Sequence, residues 1–498
     1  MKHTEIKTLG ELKKSSYVSK TIKEELRDNL IQKLKDKKDI FKGIVGFDET
    51  VIPDLQRAIL SRHNIILLGL RGQAKTRIAR LMIELLDEYI PFVAGSELND
   101  DPLKPISHFS RNLIIDKGDD TPIEWMHRNE RYTEKLATPD VSIADLIGDA
   151  DPIKAANLKL PYSDERVIHF GLVPRAHRGI FVINELPDLQ ARIQVALFNI
   201  LQEGDIQIRG FKLRLPLDIQ FVFTANPEDY TNRGSIVTPL KDRIQSQILT
   251  HYPKSILHSK EITQQEARLL DEQLKMVKVH PLAEDLIEQI AFEARGSEYV
   301  DSKSGVSARL TISAFENLIS TAERRALING EKKTYVRLGD FWGVVPSITG
   351  KIELVYEGEQ EGPANVAQIL VGKAIRTLFI SYFPNPDTGK KSKNTTPYQE
   401  ISHWFSQGNK LDLMNDITDT EYRKRLNEVP GLAALVTKYH KEASPEEKLF
   451  LMEFALHGLA EFSMLSKARM ERGVEFRDLL SGMFTMSGKD MEDEDDGF

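Results

Sequence analysis

Residues 64–82 read NIILLGLRGQAKTRIARLM: an apolar run, a turn of small and polar residues, then a stretch with helical spacing. IILLG (65–69) has the unbroken apolar character of a strand covered on both faces. TRIARLMIELLDEYI (76–90) spaces its apolar residues as a helix does. Between them lies Gly69-Leu70-Arg71-Gly72-Gln73-Ala74-Lys75-Thr76. A strand that turns sharply into a helix aims consecutive backbone N–H groups at one point, so the turn binds anions. Lys75 is placed to reach the β- and γ-phosphates of a nucleotide, and Thr76 to offer a hydroxyl to Mg2+. The spacing is that of GxxxxGK[ST] with one departure, alanine at position 74. Gly72 is a second permissive position, and alanine is small enough for the loop to stay closely packed.

Two later segments supply matching chemistry. HRGIFVINELPDLQARIQVALFNILQEGDIQIRG (177–210) opens with an apolar strand that ends in Asn184-Glu185, followed by helical spacing from Asp188 to Gln202. At the tip of the strand beside a phosphate loop, the first of two such residues orients Mg2+, usually through water, and the second polarises the attacking water. Glu185 suits the second role. Asn184 stands where aspartate is expected; its amide oxygen still accepts from metal-bound water, so weaker charge compensation is expected rather than lost binding. IQFVFTANPEDY (219–230) is a third strand, ending in Thr224-Ala225-Asn226-Pro227, with Asn226 placed to hold the lytic water or sense the γ-phosphate.

In this order the segments resemble the AAA+ ATPases, in the branch of MoxR-like proteins and magnesium-chelatase subunit I, over about residues 40–350. GLRGQAKT is similar to that branch's Walker A, IFVINELPDL to its Walker B, and LFNILQEGDIQIRGFKLRLPLDIQFVFTANPED to the helix, hairpin and sensor-1 strand that follow. VAGSELNDDP (93–102) resembles a phrase at the same place in chelatase-type chains. The resemblance implies an α/β P-loop core with a central parallel sheet flanked by helices, then a helical lid and a mainly helical C-terminal region. It implies ATP and Mg2+ as cofactors. It also implies a ring of identical subunits, most simply a hexamer, because Arg243 in PLKDRI (239–244) matches the arginine finger given to a neighbouring subunit. Arg309 in SGVSARLT (304–311) matches sensor 2, with Ser307 as the cap of its helix; Arg71 and Arg233 are further candidates at the subunit boundary. MoxR-type proteins work as chaperone-like remodelers beside a partner with a von Willebrand factor A domain. The alternatives are a motor subunit for metal insertion, as in magnesium chelatase, or a slowly hydrolysing, nucleotide-gated scaffold.

The rest of the chain bounds these readings. Its 498 residues allow about three domains. The organisation expected is an N-terminal helical segment (1–45), a nucleotide-binding core (46–258), a lid (259–345), a helical accessory region (346–487) and an acidic tail (488–498). Leu26, Leu30 and Leu34 fall on one face of the first of these. With no cysteine, disulfides, thiolate chemistry, iron–sulfur clusters and Cys-ligated zinc are excluded. A formal net charge of -8 argues against direct nucleic-acid binding, and KKSK (390–393) is too short to reverse that. Nothing at the start resembles a signal peptide, and the most apolar stretch, LFLMEFALHGLAEFSML (449–465), is broken by Glu453, His457 and Glu461. A cytoplasmic protein without membrane insertion is expected. Those three residues, four apart, read as a solvent-facing stripe rather than a metal site. His177 reads as a residue lining a subunit contact. Arg209, Lys212 and Arg214 make the hairpin around Gly204–Pro216 basic, suited either to an acidic segment of a client or simply to solubility.

Overall fold

Five short strands follow one another between residues 65 and 249: β1 (Ile65–Leu68), β2 (Tyr132–Leu136), β3 (Gly179–Asn184), β4 (Ile219–Ala225) and β5 (Ser246–Leu249). The computed structural model describes residues 5–161, 164–208, 214–227, 235–389 and 396–479. These fall into two units, one ending at Tyr252 and one beginning at Pro253. In the first, the five strands form one parallel sheet in the order β5-β1-β4-β3-β2. Every residue of β1, β3 and β4 is buried, which explains their unbroken apolar runs. Alternate side chains serve opposite faces. Ile65, Leu67, Ile180, Val182 and Val222 pack with α1 (Ile22–Lys35) and α2 (Val51–Leu60). Ile66, Leu68, Phe181, Ile183 and Phe223 pack on the other side with Ile193 and Leu197. This is the expected α/β core.

The register aligns the strand ends. Leu68 lies opposite Ala225, and Leu136 opposite Asn184, so the carboxyl ends share one edge, where open parallel sheets bind ligands. β1 leads into α3 (Lys75–Leu81), and α4 (Thr238–Arg243) precedes β5. The helix read over 76–90 stops sooner: α3 gives way to a 3-10 turn at Met82–Leu85, and Tyr89–Val93 pairs antiparallel with Ile123–His127. The Glu25 carboxylate accepts from the Asp87 N–H at 2.7 Å, fixing the chain where it leaves the helical path. Likewise Asp188–Gln202 is broken into a 3-10 turn and two short helices, Ala191–Ala196 and Phe198–Glu203. The basic hairpin is present as Asp205–Gln207 paired with Arg214–Pro216; Arg209 and Lys212 lie outside the described residues, as do Arg233, residues 390–393 and the acidic tail.

The N-terminal segment is part of this unit's core. Thr21 and Glu24 form a capping box at the start of α1; Leu26 and Leu30 are buried, while Leu34 is 39% exposed beyond the packed face. Glu25, also on α1, bonds both terminal nitrogens of Arg131 at 2.7 and 2.6 Å, and both side chains are buried. Arg131 sits just before β2 and also donates to the Arg178 carbonyl at 2.9 Å. The Ile22 N–H donates to Asp218 at 2.7 Å, and burial pushes the Asp218 carboxyl up to about 6. His177 is a core residue rather than a contact residue: its Nδ1 accepts from the Asp218 N–H at 2.9 Å, and burial pushes it down to about 4, so it stays neutral.

The second unit packs α5 (Pro281–Arg295), α6 (Arg309–Ile328), α7 (Pro363–Tyr382) and α8 (Pro445–Glu461) around one hydrophobic core. α8 starts at the capping box of Ser444 and Glu447, with Pro445 in its first turn. A small antiparallel sheet accompanies the helices: β6 (Leu411–Met414), β7 (Ser466–Met470) and β8 (Gly473–Arg477), in the order β6-β8-β7. Glu453 and His457 do not face solvent. Glu453 is 2% exposed, and its carboxylate accepts from the Leu338 and Gly339 N–H groups and the Tyr422 hydroxyl at 2.7, 3.1 and 2.6 Å. Burial holds His457 well below its usual pKa, hence neutral. Glu461 bonds Lys467 at 2.7 Å. Among the described residues, no helix is long and apolar enough to cross a membrane.

Two changes test how the N-terminal segment is held. Glu25→Ala leaves a buried guanidinium unpaired and should cost roughly 3–5 kcal/mol in denaturant unfolding. Asp218 has a folded-state pKa of about 6 against an ordinary 3.8, so its ionised form penalises the fold above pH 6, and the penalty fades as pH falls from 6 to 3.8. Asp218→Asn should therefore raise Tm at about pH 8, and the gain should vanish by about pH 4.

Candidate functional site

The turn after β1 is shaped by its neighbours. A Cβ on Gly69 would lie 2.0 Å from Thr250 Oγ1 and 2.2 Å from Gln73 Oε1, so only glycine fits. Those two atoms are 2.7 Å apart, and the Tyr252 hydroxyl donates to the Arg71 carbonyl at 2.9 Å, so the chain after β5 buttresses the loop. Gly72 and Ala74 both have left-handed backbones, with φ of 73° and 56°. Alanine's small size is therefore not the main issue. Position 74 needs the left-handed conformation itself, which costs an L-residue roughly 1–2 kcal/mol. The loop then enters α3, whose first N–H groups have no acceptor within the helix.

Lys75, Asn226 and Glu185 form one chain of bonds. The buried Lys75 ammonium donates to the carbonyls of Gly69 and Leu70, the latter at 3.0 Å, and to Asn226 Oδ1 at 2.8 Å. Asn226 Nδ2 donates to Glu185 Oε2 at 3.0 Å. Glu185, directly after β3, also has a left-handed backbone (φ 55°), and its N–H donates to Thr224 Oγ1 at 3.2 Å. Lys75 and Glu185 are thus tied to opposite ends of one amide.

Beside this chain lies a second. The hydroxyls of Thr76 and Thr224 donate to Asn184 Oδ1 at 3.4 and 3.1 Å. Asn184 Nδ2 donates to Glu134 Oε1 at 2.6 Å. Glu134 belongs to β2, and its Oε2 accepts from Arg80 Nε at 2.9 Å and the Tyr132 hydroxyl at 3.1 Å. Burial raises the Tyr132 pKa, so it remains a donor. The Thr76 and Asn184 oxygens are donors of the type magnesium takes, and no group of three His, Asp or Glu side chains among the described residues could hold a metal alone. The site therefore fits a cation that brings ligands with it, as a nucleotide-bound Mg2+ does.

Arg243 is placed elsewhere. At the end of α4, its guanidinium bonds Gln202 Oε1 at 3.0 and 2.7 Å and the Pro239 carbonyl at 2.7 Å, and lies over the Phe198 ring. Arg309 is exposed at the start of α6 in the second unit; the N-cap is Ala308 rather than the expected Ser307, and the Ser307 hydroxyl, one residue earlier, accepts from the Arg309 N–H at 3.2 Å. Arg71 is exposed. In the resembling phrase VAGSELNDDP, Asp100 is wholly buried and accepts from Ser96, Ile106, Ser107 and Ser110, a structural knot. Reading the sequence missed Glu134 and gave Thr224 no role. The signal for Glu134 was indirect: an uncharged Asn184 leaves a carboxylate wanting nearby.

A family model described as the Sigma-54 interaction domain matches residues 161–248, the stretch from before β3 into β5. The magnesium-chelatase 38 kDa subunit of Cereibacter sphaeroides is 24% identical over 195 residues, which is 39% of this chain and 52% of that subunit. The chain thus spans about half the length of the curated relative it matches. These matches agree with the resemblance to AAA+ ATPases of the MoxR-like and magnesium-chelatase subunit I branch. Among solved structures, a chain of the BchI–BchD complex of magnesium chelatase is 18% identical, with 64% of this chain and 98% of that chain covered and a TM-score of 0.34. NtrX from Brucella abortus in complex with ATP is 14% identical, with 58% and 52% covered and a TM-score of 0.31.

Restoring the motif glycine tests the strain at the loop. Ala74→Gly should stabilise the fold by roughly 0.5–1 kcal/mol, the relieved left-handed penalty less glycine's extra unfolded-state entropy. Urea unfolding measures it. A loss of stability would mean that the methyl group packs better than the backbone strain costs.

Proposed function

We propose that this protein hydrolyses ATP as a ring and couples hydrolysis to remodeling or activation of a protein partner. One observation carries the reading: Asn226 bonds Lys75 with its oxygen and Glu185 with its nitrogen, linking the group that would meet the γ-phosphate to the group that would accept water's proton. Lys75 exchanges its carbonyl partners for phosphate oxygens. Glu185 accepts the proton of the attacking water, and Asn226 sets the distance between water and phosphate. Thr76, and Asn184 through water, would hold Mg2+, which would supply charge neutralisation for the nucleotide's phosphates. Arg243 acts on the neighbouring subunit's site, where a fixed guanidinium neutralises developing phosphoryl charge; Arg309 serves as sensor 2. Residues 259–345 act as lid and 346–487 as accessory surface, in a cytoplasmic hexamer with a von Willebrand factor A partner.

Two other readings have a specific support. Similarity to the magnesium-chelatase subunit favours a motor for metal insertion. Asn184 in place of a carboxylate favours a slowly hydrolysing, nucleotide-gated scaffold.

Steady-state ATP hydrolysis at several protein concentrations tests the proposal. Glu185→Gln should lose at least about 100-fold in turnover while still binding ATP. Arg243→Ala should lose a comparable factor. If the finger acts in trans, an equal mixture of the two inactive variants regains up to about a quarter of wild-type activity, because an intact Glu185 then meets an intact Arg243 across an interface. No recovery in assembled mixtures would remove Arg243 from that role. ATP binding without turnover by wild type at every concentration would favour the scaffold.

A further inference from the structure

Asn184 brings no charge to the position where the motif carries aspartate, yet a carboxylate lies one hydrogen bond away. Glu134 Oε1 accepts from Asn184 Nδ2 at 2.6 Å, from β2, the strand paired with β3. An ionised carboxylate only accepts hydrogen bonds, so it decides which end of the Asn184 amide faces it. With the nitrogen held by Glu134, Oδ1 is left toward Thr76 Oγ1 and Thr224 Oγ1. That is the end a cation or its water needs. Were position 134 a neutral amide, Asn184 could turn over and present its N–H groups instead.

Charge adds to orientation. A hydrogen bond from an amide to a carboxylate polarises the amide and makes its oxygen a stronger acceptor. Glu134 is itself fixed by the Tyr132 hydroxyl on Oε2 and by Arg80, which bonds both carboxylate oxygens, Nε to Oε2 at 2.9 Å and Nη2 to Oε1 at 3.3 Å. The Arg80 side chain is 63% exposed, so solvent screens that pair and it offsets the carboxylate's charge only in part.

We propose that Glu134 is a positioning residue for the Mg2+ that accompanies the nucleotide. It locks Asn184 with its oxygen toward Thr76 and supplies, through the polarised amide, the negative charge that position 184 lacks. The inference rests on the Mg-nucleotide reading above.

The test is calorimetric ATP binding in Mg2+ and in EDTA, with thermal melts alongside, for wild type, Glu134→Gln and the swap Asn184→Asp/Glu134→Gln. Wild type should bind ATP more tightly with Mg2+. Glu134→Gln should lose about tenfold or more of that enhancement, while its affinity in EDTA is unchanged. The swap should recover the enhancement, because the carboxylate introduced on β3 then carries the charge and the amide introduced on β2 donates to it. A merely structural Glu134 would not produce a Mg2+-specific loss or that rescue. Full enhancement in Glu134→Gln overturns the proposal, and so does a swap that melts like wild type without recovering it. Should Glu134→Gln unfold, the swap decides alone by the same criterion. Absence of ATP binding by wild type in both buffers sinks the nucleotide reading itself, and this inference with it.

Discussion

Asn226 can hold Lys75 and Glu185 at once only because β4 runs between β1 and β3. Lys75 follows β1, Glu185 follows β3, and the sequence separates them by more than a hundred residues. Parallel pairing at fixed register, Leu68 opposite Ala225 and Phe223 opposite Ile183, brings all three strand ends to one edge. The register is set by burial, since a slip of one residue would turn each strand's two side-chain sets onto the wrong covers. The hydrophobic packing of Ile66, Phe181 and Phe223 on one face, and of Ile65, Val182 and Val222 on the other, is therefore what holds the polar site in place.

The polar network has its own constraint, because a group taken out of water must find partners. Asn184 is 8% exposed and uses both ends of its amide, with Thr76 and Thr224 on one and Glu134 on the other. Carboxylates at both 184 and 134 could not sit this close with both ionised. The neutral residue on β3 and the charged one on β2 thus belong together. Asn184 looks like a defect when its motif is read alone and loses that appearance once the neighbouring strand is included.

This marks where the sequence is legible and where it stops. β1, β3 and β4 could be read because strands buried on both faces have unbroken apolar runs, Glu185 and Asn226 because each directly follows such a run, and Lys75 because it closes the glycine-containing turn after one. β2 could not: Tyr132–Leu136 is an edge strand containing Thr, Glu and Lys, so neither it nor Glu134 has a pattern to announce it. The fate of Tyr89–Val93 depends on an antiparallel partner more than thirty residues on, which local spacing cannot reveal. On α8, four-residue spacing of Glu453, His457 and Glu461 matched a solvated stripe, yet partners from distant segments bury the first two; spacing fixes a face and not what covers it.

Backbone strain is present at this edge too, although Lys37, Arg62, Asn99, Lys159, Arg178 and Ser463 carry it elsewhere. Both tight turns at the ligand edge contain a non-glycine residue in the left-handed region, Ala74 after β1 and Glu185 after β3. Neither has the αL tolerance of Asn or Gly, so each conformation must be imposed by its surroundings. Thr224 supplies part of that at Glu185, where its hydroxyl accepts the N–H and also bonds Asn184. At Ala74 the restraint comes from both sides, from Gln73 against Thr250 and from Lys75 against Asn226. A looser loop would let Lys75 relax toward solvent, and with it the oxygen of Asn226 that fixes Glu185. The strain at 74 and the orientation of Glu185 are in this way two ends of one mechanical chain, running through a single amide.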